Sequence, residues 1–350
     1  MKAAVLTKFN KPLEILNVPD PELTPDGVIV KVMASGVCRS DLHLWEGGLG
    51  WVGLDLDLPH VMGHEFCGVI EEVGKDVTHF KKGDRVVVPF IHGCGHCETC
   101  NSGHPNVCAD HIEIGITSWG GFGEYAHVPN ADSSLAHLPE EISFVEAASL
   151  GCRFPTAYHG VVDQGEVRPG EWVTVFGCGG IGLSAIHTAS TIGAMVIAVD
   201  INEEALKLAK AMGAAFTFNA KNPDVVKEII ELTKGGAHVT IDALGSKTTI
   251  QSAMQSLRIR GRHVQIGMTT LDEKGYVPVP IDEMIMKELR IIASCGIQSY
   301  KFASLIQMIR KGTINPGKMV TQTIGIEGAG QIILDMKAKK NVGVTIIDCF

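Results

Sequence analysis

The sequence predicts an α/β protein of two domains, a β-rich and turn-dense part followed by a doubly wound parallel sheet. Three observations predict it. The chain has 350 residues, and at roughly 100–200 residues per domain two is the natural division. Residues 1–150 hold short apolar runs separated by Gly, Pro and Asp, the pattern of strands and tight turns. Beyond about residue 165, strand-length apolar runs alternate with helix-length amphipathic ones, which means βαβ units and helices on both faces of a sheet.

Taken in order, Val28–Ala34, Phe66–Val73 and Arg85–Phe90 read as strands, and the loop-rich stretch 91–123 carries a dense Cys, His and Gly cluster. Trp172–Phe176 reads as a short buried strand, Ile181–Ile192 as a helix and Met195–Val199 as a strand. Glu203–Met212 reads as a helix with Leu206, Ala209 and Met212 on one face. Phe216–Phe218, Asp224–Thr233, Val239–Ala243, Thr248–Leu257 and His263–Ile266 continue the alternation. Residues 300–311 and 328–340 read as helices, and Val342–Ile347 as a final strand.

Hydrophobic residues make up 45 % of the chain and charged residues 20 %, a composition of folded rather than disordered protein. Acidic residues outnumber basic ones, 39 to 30. Nucleic acid or an anionic membrane surface would want the opposite sign. Lys2 is followed by too short an apolar run for a signal-peptide core. No run of about 18 apolar residues occurs, so no membrane span is expected and the protein is expected in the cytoplasm. In that compartment the ten cysteines are expected as metal ligands, catalytic groups or core residues rather than disulfides.

Four of them form Cys94-Gly-His-Cys97-Glu-Thr-Cys100, with Cys108 following eight residues later. Four thiolates close a tetrahedron around Zn²⁺ and leave no position for a substrate, so this spacing points to a structural zinc. An iron–sulfur cluster is the chemical competitor. A zinc ribbon in a binding or scaffold protein is the competing use, against which the negative charge argues.

Gly177-Cys-Gly179-Gly180-Ile181-Gly182 stands directly after a predicted strand and opens a predicted helix. In that context it is a dinucleotide-binding turn. Gly177 permits the turn, Gly179 lets the backbone approach a pyrophosphate, and Gly182 allows close helix–strand packing. The phosphates are expected at the helix N-terminus, on free N–H groups that include those of Gly180 and Ile181. Asp200 ends the next strand, 18 residues after Gly182, where a carboxylate can accept both ribose hydroxyls of NAD. No base follows it before Lys207, and Glu203 and Glu204 stand close, so NADP is expected to be excluded.

Cys38, His64 and Cys152 are dispersed, and each alone has a plain explanation: a lone Cys is usually a small buried hydrophobe. Gly63-His64-Glu65 after Cys38-Arg-Ser-Asp41, then the four-cysteine lobe, then GxGxxG after a strand resembles the zinc-containing medium-chain alcohol dehydrogenases, in order and over essentially the whole chain. The resemblance implies a GroES-like catalytic domain at 1–155 with a structural zinc lobe at 91–112, an NAD-binding Rossmann domain at 156–295, and a return to the catalytic domain at 296–350. It implies two zinc ions per chain, the catalytic one held by Cys38, His64 and Cys152, with Glu65 and Asp41 as acids behind the ligands. It places Thr156 beside the nicotinamide, and Ser40 and His43 in a proton relay by way of the cofactor ribose; with no Arg at the start of the last strand, other bases such as Arg39 are expected to carry more of the phosphate contact. It also implies reversible hydride transfer between an alcohol and NAD, giving an aldehyde or ketone, by a homotetramer.

Polyol dehydrogenases and NADP-linked aldehyde reductases share the superfamily. Polyol enzymes tend to use Glu in place of the third zinc cysteine, so Cys152 argues against them. Three departures stand out: Ala205 where the family often has Lys or Arg, Asn341-Val-Gly-Val-Thr345 where its last strand often begins Gly-Arg, and Arg153 where it commonly has a small residue. Phe90, Trp119 and Trp45 or Trp51 are candidates for a pocket wall suited to an apolar or aromatic alcohol. Cys67, Cys178, Cys295 and Cys349 match no ligand position and are expected to be structural.

Overall fold

The structure is a computed structural model that describes all residues except 48–49, 51–52 and 54–55. The chain forms two compact units, Met1–Pro155 with Gly296–Phe350, and Thr156–Cys295.

In the second unit, Val173, Val175, Val196, Ile197, Ala198, Val239 and Ile241 are fully buried. Such near-continuous apolar strands form parallel sheets covered on both faces. Six strands assemble in the order Phe216–Asn219, Met195–Asp200, Trp172–Phe176, Ala237–Asp242, Leu257–Gln265, Arg290–Ala293. The order reverses beside Trp172–Phe176, the first strand in sequence, and ligands of doubly wound sheets bind at such a reversal. Asn202 caps the helix Glu203–Ala211 by accepting from the amides of Glu204 and Ala205. Gly193, at φ 96°, closes Gly180–Ile192.

Two elements here depart from expectation. Leu257–Gln265 begins well before His263, carrying Arg258, Arg260 and Arg262 and a register shift against Ala237–Asp242. The edge pair Ile281–Lys287 and Arg290–Ala293 was not expected; neither element has a buried residue, so neither carries the periodicity that reveals a core face.

The first unit is built on a seven-stranded sheet in which Val28–Val37 lies between Glu65–Val73 and Val344–Cys349. The registers pair Gly36 with Glu65 and Val37 with Thr345. Val320–Gly325, which lies parallel to the final strand, was not expected from the sequence. Trp45 corrects a pocket expectation: it is 4 % exposed and its indole N–H donates to the Lys11 carbonyl at 2.6 Å, so it belongs to the core. Among the described residues no helix is long and apolar enough to cross a membrane.

Candidate metal and dinucleotide sites

Cys38 lies just past the strand Val28–Val37 and is the N-cap of the helix Arg39–Trp45. Its amide donates to Asp41 Oδ2 at 2.7 Å. His64 precedes Glu65–Val73, after Gly63 at φ 95°; a Cβ on Gly63 would stand 2.4 Å from the Phe122 ring. Cys152 is held through its amide, which donates to Glu65 Oε1 at 3.2 Å. The fold brings one ligand atom each of Cys38, His64, Glu65 and Cys152 within 4.8 Å of one another, all four residues buried.

His64 Nδ1 donates to Asp41 Oδ1 at 3.2 Å, because a carboxylate can only accept. In the neutral ring, the form that binds a metal, the lone pair then falls on Nε2, which is buried and has no hydrogen-bond partner. An orphaned imidazole nitrogen beside two thiols is what a zinc ligand set requires. The Cys152 thiol beside it draws Cys38 well below the usual thiol range, against the opposing effect of burial.

Arg153, one of the three departures noted in the sequence, is 4 % exposed and pairs with Glu65. Its Nε donates to Glu65 Oε1 at 2.9 Å and its Nη2 to Oε2, while Nη1 donates to the Val37 carbonyl at 3.1 Å. The sequence singles out Arg153 but offers no signal for its partner, which lies 88 residues away.

In the lobe, Cys94 and Cys100 Sγ are 3.9 Å apart and Cys97 and Cys108 Sγ 3.7 Å apart. A tetrahedron of sulfurs about 2.3 Å from a zinc has edges of about 3.8 Å, so the thiols fit that ion. The amide of Cys100 donates to Cys97 Sγ at 3.4 Å and draws that thiol down to about 7. These two clusters are the groups among the described residues that could hold a metal ion.

In the second unit, Gly177 has φ 92°, and a Cβ on Gly182 would stand 1.7 Å from the Gly177 carbonyl. A Cβ on Gly179 would meet nothing within 4 Å: open space lies where a pyrophosphate would approach. Gly179 caps the helix that Gly180, Ile181 and Gly182 begin. The Asp200 carboxylate accepts from the amides of Cys178 at 2.6 Å and Asn202 at 2.9 Å, which fixes it beside the glycine turn. Lys207, the nearest base in sequence, is bound to Glu204 at 2.7 Å. Sequence reasoning overlooked Asp242, opposite Phe176 in the register. It is fully buried; its Oδ1 accepts from Leu244 and Gly245, and its Oδ2 has no partner.

Ser40 Oγ is 3.9 Å from Cys38 Sγ, and His43 lies three residues on along the same helix, on the same face. Burial, then Arg39, pulls His43 below the ordinary imidazole range. Arg39 is exposed. Thr156 is buried with its hydroxyl unpartnered. Phe90 meets His64 edge to face, centroids 6.0 Å apart, whereas Trp119 packs half-buried on the core around Trp45. Trp51 lies outside the described residues. Cys67 and Cys178 are buried, but Cys295 and Cys349 are exposed and belong to no core.

Residues 24–140 match the alcohol dehydrogenase GroES-like domain and residues 180–311 the zinc-binding dehydrogenase family. The chain belongs to the zinc-containing medium-chain dehydrogenase family, with a GroES-like domain joined to a Rossmann sheet. It is 39 % identical over 295 residues to an alcohol dehydrogenase of Geobacillus stearothermophilus, 84 % of each chain being covered. It is 34 % identical to an NAD-dependent alcohol dehydrogenase of Sulfurisphaera tokodaii, covering 99 % of both. The solved alcohol dehydrogenase of Aeropyrum pernix superposes with a TM-score of 0.91 at 30 % identity, over 99 % of this chain and 100 % of that one.

Proposed function

We propose that the chain is a zinc-dependent, NAD-linked alcohol dehydrogenase. It interconverts primary or secondary alcohols, hydrophobic or aromatic in kind, with aldehydes or ketones. The observation that carries this reading is the buried, unpartnered Nε2 of His64 in a group with the Cys38 and Cys152 thiols. Three protein ligands leave a tetrahedral zinc one open position, whereas Cys94, Cys97, Cys100 and Cys108 leave none and staple the lobe. When bound, zinc supplies Lewis acidity toward the substrate oxygen and NAD accepts or returns the hydride.

The remaining roles belong to the chain. Asp41 fixes the tautomer of His64 and the place of Cys38. Gly177, Gly179, Gly180, Ile181 and Gly182 present backbone N–H groups and a helix N-terminus to the pyrophosphate, and Asp200 receives the adenosine ribose. Thr156 offers its hydroxyl to the nicotinamide. Ser40 takes the proton of the alcohol and His43 passes it to solvent; a neutral imidazole is suited to that work near neutrality. Phe90 lines an apolar pocket.

The working form is a homotetramer in the cytoplasm. Met286 is 84 % exposed, and Ile281, Ile285 and Ile291 of the same edge helix and strand are exposed as well, apolar surface that favours association. Two clusters of thiols placed to hold metal suit a reducing compartment. Formation of NADH, followed by absorbance with ethanol, hexanol, benzyl alcohol and cyclohexanol, tests the activity. Hexanol and benzyl alcohol should give the highest kcat/KM, and absence of NADH with all four defeats the reading. Light scattering that returns the monomer mass of 37.4 kDa defeats the tetramer.

A further inference from the structure

We propose that Arg153 is a positioning residue. Its guanidinium fork holds the Glu65 carboxylate off the metal, so that Cys38, His64 and Cys152 keep a fourth position open. The inference rests on reading those three residues as metal ligands.

Reach does not keep Glu65 from being a ligand, since one of its oxygens belongs to the same 4.8 Å group as the two thiols and the imidazole. A carboxylate is a good zinc ligand, and a fourth protein ligand converts an open site into a closed one. What occupies Glu65 is its hydrogen bonding. Oε1 accepts from the amides of Cys152 and Arg153 and from Arg153 Nε, and Oε2 accepts from Arg153 Nη2. Three of the four donors fall on Oε1, which is thereby saturated, and the guanidinium holds Oε2, the oxygen that keeps a lone pair to offer. Two of the four come from the planar fork of Arg153, which fixes orientation as well as charge.

The surroundings are shaped for this pair. A Cβ on Gly36 would stand 2.5 Å from Glu65 Oε2 and 2.8 Å from Arg153 Nη2, and one on Gly151 would stand 2.3 Å from Glu65 Cα. The third guanidinium nitrogen is tied to the carbonyl of Val37, the residue before Cys38. No base reaches this point from the last strand, where Thr345 lies opposite Val37. Stability alone does not call for such a pair, because apolar residues of similar volume replace buried ion pairs at little loss or with a gain.

Cobalt(II) put in place of zinc in the full-length protein tests the proposal, with imidazole as the probe of the open position. The wild-type protein should bind two metal ions, and imidazole should shift the cobalt absorption bands. In Arg153→Met, Glu65 is released onto the metal, and the same shift should need roughly tenfold more imidazole or greater. Adding Glu65→Gln to Arg153→Met removes both charges and should restore the wild-type response. Arg153→Met responding like wild type overturns the proposal, as does a double variant that binds two metal ions yet still responds weakly. If Arg153→Met does not fold, Arg153→Lys, which keeps the charge without the fork, takes its place with the same expectation. Wild-type protein that binds a single metal ion, at the four cysteines, overturns the ligand reading itself and this inference with it.

Discussion

Nδ1 of His64 lies 3.2 Å from Oδ1 of Asp41, and neither side chain is exposed to solvent. The other oxygen of the same carboxylate holds the amide of Cys38. One acid therefore positions two candidate metal ligands that lie on different strands' ends.

Asp41→Asn should weaken zinc binding by roughly 10–100-fold. The asparagine offers one carbonyl oxygen where the carboxylate offers two, so His64 or Cys38 loses its partner. Competition with a chelator, followed by metal analysis, reads the affinity, and an unchanged value refutes the role.

Cys94→Ser should reduce the bound zinc from two ions to one and lower the thermal midpoint by roughly 5 °C or more, because the lobe loses its staple. Cys38→Ser should instead abolish turnover while the midpoint moves little. Iron with a visible absorbance band in the purified wild-type protein contradicts both metal assignments.

NAD should be preferred over NADP by about 100-fold in kcat/KM, about 2.7 kcal/mol. Asp200 is fixed by two amides, and Lys207 is already bound to Glu204, so the added phosphate meets fixed negative charge without a free base. Asp200→Gly should weaken NAD use and relax the exclusion, and Ile201→Arg should add further NADP use. Equal efficiency with both cofactors in the wild-type enzyme shows that Asp200 does not face the ribose.

Ser40→Ala should lower turnover by orders of magnitude with both zinc ions retained. His43→Gln should slow alcohol oxidation mostly at acid pH, where water substitutes poorly as a proton acceptor. Because burial holds His43 below the usual imidazole range, the acid limb of the wild-type profile should lie below pH 6.5, the ordinary histidine value. Near wild-type turnover in Ser40→Ala ends the relay.

His60 is 4 % exposed, and burial pushes its pKa down to about 4. The folded protein holds it neutral, whereas the unfolded chain protonates near 6.5. Its contribution to stability is therefore complete above about pH 6.5 and is lost as pH falls from there toward 4, by up to about 3 kcal/mol. Denaturant unfolding across that range should show a shallower acid loss in His60→Asn. Parallel curves for the two proteins exclude His60 as the source.

The four-cysteine lobe was legible because its ligands are close in sequence, so spacing alone carries the chemistry. The parallel sheet was legible where strands are buried on both faces: Trp172–Phe176 has the bounds its apolar run suggests. Edge elements were not, since Arg290–Ala293 has no buried residue. The dispersed cluster of Cys38, His64 and Cys152 could not be joined from spacing, and only the resemblance linked its members. The Glu65–Arg153 pair stayed hidden because its partners meet through tertiary folding, and neither residue's local sequence names the other. Asp242 stayed hidden for another reason: an acid before Ala-Leu-Gly reads as an ordinary turn residue, and its unpartnered oxygen is visible only in three dimensions.

The strand Val28–Val37, which leads into Cys38, is paired on one side by Val344–Cys349. Nearly the whole chain is made between the two. As the protein emerges from the ribosome, the Thr156–Cys295 unit can fold while the first unit still lacks a central sheet neighbour. The candidate catalytic centre, although all three of its protein ligands are encoded in the first half of the message, is expected to mature last. A nascent chain stalled before residue 344 should carry a folded nucleotide-binding unit and a cysteine–histidine cluster still open to thiol reagents.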